Sequence, residues 1–192
     1  MKDRFIHGNL IILYAIDRSA SVIEGLPDHI LKRARLCLDT FGTIMRSKPD
    51  KNKTTIFVVA NPNSIKYLKQ ELTKGGIDED KIVFDTISNN VRQTCDSVIK
   101  YVQNRVNPPK IYFIGSAWLR ESFDSIVLSK LKEYNVQFEG ALDSRSVAET
   151  DNEKAADSPK KGIQFYKKQA KDKAANMLLN LLFPAKKEVS KR

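Results

Sequence analysis

Lys81-Ile82-Val83-Phe84-Asp85-Thr86-Ile87-Ser88-Asn89-Asn90-Val91-Arg92-Gln93-Thr94 decides how this chain is read. A β-branched, apolar run stops at a carboxylate and a group of short polar residues. The period then becomes helical, with Val91, Cys95, Val98, Ile99, Val102 and Val106 on one face. A strand that turns into a helix through Asp, Thr, Ser and Asn is the βα junction where α/β proteins carry their sites. The same residue types cap helices, and Ser88 is read as the cap beside a pocket.

Working outward, the same unit repeats. Leu10 to Ile16 is a continuous apolar run, the mark of a strand buried on both faces. A helix from about Pro27 to Met45 follows, with Ile30, Ala34, Cys37, Leu38, Phe41, Ile44 and Met45 as its stripe. A second strand, Thr54 to Ala60, turns at Asn61-Pro62-Asn63-Ser64 into a helix carrying Ile65, Leu68 and Leu72, which stops at Gly75-Gly76. Beyond the opening stretch, Asn107-Pro108-Pro109 breaks the third helix. A fourth strand, Lys110 to Ile114, leads through Gly115-Ser116-Ala117 to a helix with Leu119, Phe123, Ile126, Val127 and Leu131, and a fifth strand spans Val136 to Phe138. Short apolar strands alternating with helices predict an α/β fold. The expected form is a three-layer α/β/α sandwich, Rossmann-like, with about five parallel strands in the order 3-2-1-4-5. Residues 1–142 form this domain, 143–162 read as a linker or loop, 163–183 as a docked basic amphipathic helix, and 184–192 as a disordered basic tail.

The chain of 192 residues carries a net charge of +10, unevenly spread. From Asn152 onward there are 11 Lys/Arg against 4 Asp/Glu, a net of +7, which leaves +3 for residues 1–151. A basic end can attract nucleic acid or an acidic protein, or be a solvated helix face. No apolar run approaches the ~20 residues of a membrane span, and the first residues lack a secretory apolar region, so the cytoplasm is the expected compartment. Cys37 and Cys95 fall on apolar helix faces and read as buried thiols. With only His7 and His29, and no Cys-x-x-Cys, no metal site is expected.

In an open sheet of this order, ligands lie beyond the carboxyl ends of the strands. That edge collects Asp17, Arg18 and Ser19, then Asn61 and Asn63, then Asp85, Ser88 and Asn90, and finally Ser116, Trp118 and Arg120. Arg18 and Arg120 offer planar forks suited to phosphate or carboxylate, helix N-termini add N–H groups, and Trp118 can stack on a base. Each has a plainer reading: the arginines as surface ion pairs, Trp118 as an anchor, Asp85 as the organiser of its own loop. No nucleophile–base pair emerges, and neither phosphate-binding glycine motif is present.

The segment from Leu72 to Gly76, then Ile77 to Asp85, then Ser88-Asn89-Asn90 follows the order of a helix ending near Gly, a strand, and a polar box opening a helix. In this layout the chain resembles the SanA/YdcF-like (ElyC-type) family of unknown function, over roughly residues 9–140. Ile114-Gly115-Ser116-Ala117-Trp118-Leu119-Arg120 stands where that family has a strand ending in Thr-Ser and then a His and an Arg. Val91, Gln93 and Thr94 occupy positions where the family's box has Thr, Glu and Asn, and the His is absent. The resemblance implies a Rossmann-like domain with a small nucleotide-like ligand such as S-adenosylmethionine. The expected function is binding of a small anionic or nucleotide-like ligand at the strand ends. The alternatives are a module that holds nucleic acid or an acidic protein through the basic end, and self-association through helix 163–183.

Overall fold

The computed structural model describes residues 8–18, 25–47, 54–103 and 109–158. Five parallel strands form one sheet: β1 (Asn9–Ala15), β2 (Thr54–Ala60), β3 (Ile82–Asp85), β4 (Lys110–Ser116) and β5 (Val136–Ala141). Their order is β3-β2-β1-β4-β5, as the sequence predicts. The helices are α1 (Asp28–Ser47), α2 (Ile65–Lys74), α3 (Val91–Val102), the short α4 (Arg120–Ser122) and α5 (Leu128–Lys130), and α6 (Val147–Asp157). Among the described residues no helix is long and apolar enough to cross a membrane.

Every residue of β1 is buried, because alternate side chains enter two separate cores. Leu10, Ile12 and Tyr14 pack with α3 (Val91, Cys95, Val98, Val102) and with Phe123, Ile126 and Val127. Ile11, Leu13 and Ala15 pack with α1 (Ile30, Ala34, Cys37, Phe41, Ile44) and with Leu68 and Leu72 of α2. Each such fully buried aliphatic side chain contributes about 1.5–3 kcal/mol of transfer free energy. Burial also raises the Cys37 thiol to about 12, and it raises Cys95 to about 12, so both stay protonated.

The ends of α2 and α4 follow local chemistry. The α2 helix closes where Gly76 takes φ 88°, its N–H donating to Thr73 O while Ile77 N donates to Leu72 O. The predicted fourth helix is not one regular helix. A 3-10 turn at Ala117–Leu119, α4, a π turn at Phe123–Val127 and α5 follow one another, and Leu119, Phe123, Ile126, Val127 and Leu131 are all buried.

The predicted linker at 143–162 is corrected by α6, which occupies Val147–Asp157. Ser146 caps it, accepting from Glu149 N while the Glu149 carboxylate accepts from Ser146 N at 2.7 Å. The expected helix at 163–183 and the tail at 184–192 lie outside the described residues.

Candidate functional site

Strand order reverses between β1 and β4, which opens the crevice where sheets of this kind place ligands. Arg33 fills its floor. It lies on the inward face of α1 beside Ile30, Ala34 and Cys37, and it is fully buried. Its Nε donates to Ser116 Oγ at 2.9 Å, and Nη1 donates to Tyr14 O at 3.2 Å and Ile16 O at 3.3 Å. The guanidinium thereby ties the end of β1 to the end of β4. Its Nη2 lies 3.5 Å from Glu153 Oε2 and 3.8 Å from Asp143 Oδ2. Burial lowers the Arg33 pKa, and the charge of Glu153 opposes that shift.

Arg145 joins the same two carboxylates. It contacts Asp143 through Nε (2.9 Å) and Nη2 (2.7 Å), and Glu153 through Nη1 (2.8 Å) and Nη2 (3.1 Å). These are two bidentate forks on one guanidinium. Burial works against its charge, but hydrogen bonds to Asp143 and Glu153 outweigh it and raise the Arg145 pKa.

The third arginine meets α6 one turn further on. Arg18 Nη1 lies 3.1 Å from Asp157 Oδ2, while Nη2 reaches Tyr14 Oη and the Asn89 carbonyl. Asp157 also accepts from Tyr14 Oη at 2.8 and 2.9 Å and from Val91 N at 2.9 Å. Val91 opens α3, so the positive end of that helix points at a carboxylate of the chain itself. Burial raises the Asp157 pKa in spite of the Arg18 charge, and burial together with the Asp157 charge raises Tyr14. Ser122 Oγ, on α4, donates to the Asp157 carbonyl and secures the end of α6.

The residues singled out from sequence divide into two groups. Asp17, Arg18, Asn61, Ser116 and Trp118 come together here. Asp17 N donates to Asn61 Oδ1 at 2.8 Å, and Asp143 accepts from Ser116 Oγ at 2.9 Å and from Trp118 Nε1 at 3.1 Å. Asp85, Ser88 and Asn90 instead build the β3–α3 turn. Asp85 accepts from Ile87 N, Ser88 N and Ser88 Oγ, so it organises its own loop. The cap of α3 is Asn90, accepting from Gln93 N at 2.9 Å, and not Ser88, whose hydroxyl is turned to Asp85 and Ser97. Asn63 is exposed on a 3-10 turn. Arg120 is exposed and pairs with Asp124 along its own helix, so it does not join Arg18. Ser19 lies outside the described residues.

Sequence reasoning missed Arg33, Asp143, Arg145, Glu153 and Asp157. Ser146-Val147-Ala148-Glu149 is a capping-box pattern, a signal that could have found α6, whereas the helical spacing of Arg33 from Ile30 and Cys37 places it on the inward face without marking it as buried. Beside the cluster, an open groove of about 720 Å³ runs between Trp118, Glu121 and Ser122 on one side and Asp151, Lys154, Ala155 and Ser158 on the other. None of the three arginines lines it.

No family model, curated protein or solved structure matches this chain.

The cluster sets an acid limit to stability. Hydrogen bonds and arginine charges hold Asp143 and Glu153 below their ordinary values, outweighing burial. Depressed carboxylates stabilise the fold above their unfolded pKa values, about 3.9 and 4.3, and that contribution is lost as pH falls through the folded values. Asp157 has the opposite sign: its raised pKa contributes stability at low pH that is lost as pH rises through the folded value. The melting temperature of wild type is expected to fall steeply below about pH 4, and more gently in Asp143→Asn. Thermal unfolding followed across that range by circular dichroism checks it; parallel curves for the two proteins would count against this assignment.

Proposed function

We propose that this protein binds a small anionic ligand, bearing phosphate or carboxylate groups, at the carboxyl ends of β1 and β4. One observation carries the reading: Arg18, Arg33, Arg145 and the N-terminus of α3 converge on two carboxylates supplied by α6, Glu153 and Asp157. Three planar donor forks and a helix N-terminus form an anion-binding set, and the chain's own side chains occupy it. In this reading α6 stands in for the ligand. Glu153 takes the position of an anionic group held by Arg33 and Arg145, and Asp157 that of one held by Arg18 and Val91 N–H. A nucleotide or S-adenosylmethionine belongs to the same proposal, as does kinship with the SanA/YdcF-like proteins, supported by the shared strand–box–helix layout. Trp118, half-buried beside Asp143, is the side chain nearest to hand for a base.

Binding of inorganic phosphate, ATP and S-adenosylmethionine by calorimetry tests the proposal. Removing one unit charge at contact distance changes the interaction by about 1–4 kcal/mol between the dielectric of bulk water and that of a protein surface. Glu153→Gln is therefore expected to bind at least one of these about tenfold more tightly than wild type, and Arg18→Ala more weakly. Absence of saturable binding to both wild type and Glu153→Gln at millimolar ligand would sink the proposal.

A further inference from the structure

The geometry points to a divalent transition-metal site formed by Asp17, His29 and Glu153. It does not depend on the anion-binding reading and adds a different ligand. The three residues come from the loop just after β1, the first turn of α1 and the middle of α6. One ligand atom from each lies within 4.8 Å of the other two.

His29 supplies the independent observation. Its side chain is only 6% exposed, and its buried Nε2 has no hydrogen-bond partner among the described residues. The nearest carboxylate oxygen, Asp17 Oδ1, is 3.5 Å away. That is longer than the ~2.7–3.2 Å of an N–H···O bond. It is close to the separation of two ligands that each sit ~2.0–2.2 Å from a shared ion. In its neutral tautomer with Nε2 unprotonated, an imidazole buried in this way offers that nitrogen as a ligand, with little freedom to turn elsewhere.

The surrounding charge permits a cation. Among the described residues, Asp143, Glu153 and Asp157 face Arg18, Arg33 and Arg145, charge for charge, and Asp17 lies beside His29. Glu153 already accepts from Arg33 and Arg145, and a ligating carboxylate oriented by such donors is an ordinary outer-shell arrangement. Those arginines also repel a cation. The set of one imidazole and two carboxylates therefore has to suit the ion well, which selects Zn²⁺ or Mn²⁺ over Mg²⁺ and Ca²⁺ with their all-oxygen preference. Three protein ligands leave a coordination position for water or an added anion.

The full-length chain, stripped with EDTA, is titrated with Zn²⁺, Mn²⁺ and Mg²⁺ by calorimetry, with Co²⁺ absorption as a second reading. One equivalent of Zn²⁺ or Mn²⁺ is expected to bind, with no Mg²⁺ binding. Affinity is expected to fall at least a hundredfold in His29→Ala, and in His29→Asn should the alanine variant not fold. A double Cys37→Ala, Cys95→Ala chain is expected to keep the site. Visible Co²⁺ bands should accompany wild type and vanish with His29. Glu153→Gln separates the two proposals, since it loses the metal while, on the binding reading, gaining anion affinity. The assignment is overturned if wild type takes up no stoichiometric ion. It is equally overturned if uptake is unchanged in both His29 variants.

Discussion

Arg33→Ala is expected to destabilise the fold by about 3–5 kcal/mol, the range found when one partner of a buried ion pair is removed. The side chain is fully buried and its donors serve four groups: Ser116 Oγ, Tyr14 O, Ile16 O and the Glu153 carboxylate. Alanine leaves the two strand-end carbonyls short of a donor and removes a positive charge from beside Glu153 and Asp143. For a chain of this size each kcal/mol shifts the melting temperature by about 2–4 °C, so a fall on the order of 10 °C is expected. Arg33→Lys recovers only part of it, because an ammonium cannot span Ser116 and two carbonyls with a rigid fork. Pairing Arg33→Met with Glu153→Gln should cost less than the sum of the single changes, since the uncompensated charge is then gone. Urea unfolding of wild type, Arg33→Ala, Arg33→Lys, Arg33→Met, Glu153→Gln and the Arg33→Met, Glu153→Gln double variant measures all of this. A loss below about 1 kcal/mol for Arg33→Ala, the scale of an exposed ion pair, would show that the guanidinium is not the tie between β1 and β4.

The second large effect belongs to Asp157. Replacing it by alanine removes the acceptor of Val91 N, of Tyr14 Oη and of one Arg18 nitrogen at once. A buried donor left unsatisfied costs about 1–3 kcal/mol, so a loss of about 3 kcal/mol or more is expected. Asp157→Asn keeps an acceptor oxygen of the same reach without the charge that burial disfavours, and it should cost less than half as much. The change should also be local. Amide exchange in Val147–Asp157 is expected to accelerate in the alanine variant, while the amides of β1 and β2 keep their protection relative to global unfolding. Uniform acceleration across the whole chain would argue that α6 is an inseparable part of the core.

The strands and their order were legible because a parallel sheet writes itself as apolar runs. Leu10–Ile16 and Lys110–Ile114 need no partner information to be recognised. The site was half legible. The loop residues Asp17, Arg18, Asn61 and Ser116 are placed by the strand ends, and strand ends are visible in sequence. Their partners were hidden for a physical reason. The buried face of α6 is Thr150, Glu153, Ala156 and Asp157, a polar stripe at helical spacing, and a search for apolar periodicity passes over it. Arg33 was hidden likewise: an arginine inside an apolar stripe has no sequence mark that tells a buried fork from a solvated one. Ser88 and Asn90 are equally good caps by residue type, and only the Asp85–Ser88 hydrogen bonds decide that Asn90 takes the role.

The polar underside of α6 has a consequence for how this protein could change shape. Most helices that lie on a sheet are glued by hydrocarbon, and lifting one bares a sticky surface that invites clumping. Here the seal is made of guanidiniums and carboxylates directed at one another, groups that water receives readily once they part. Such a cover behaves as a latch with keyed pins: firm and directional when shut, sensitive to competing ions, and safe to open in water.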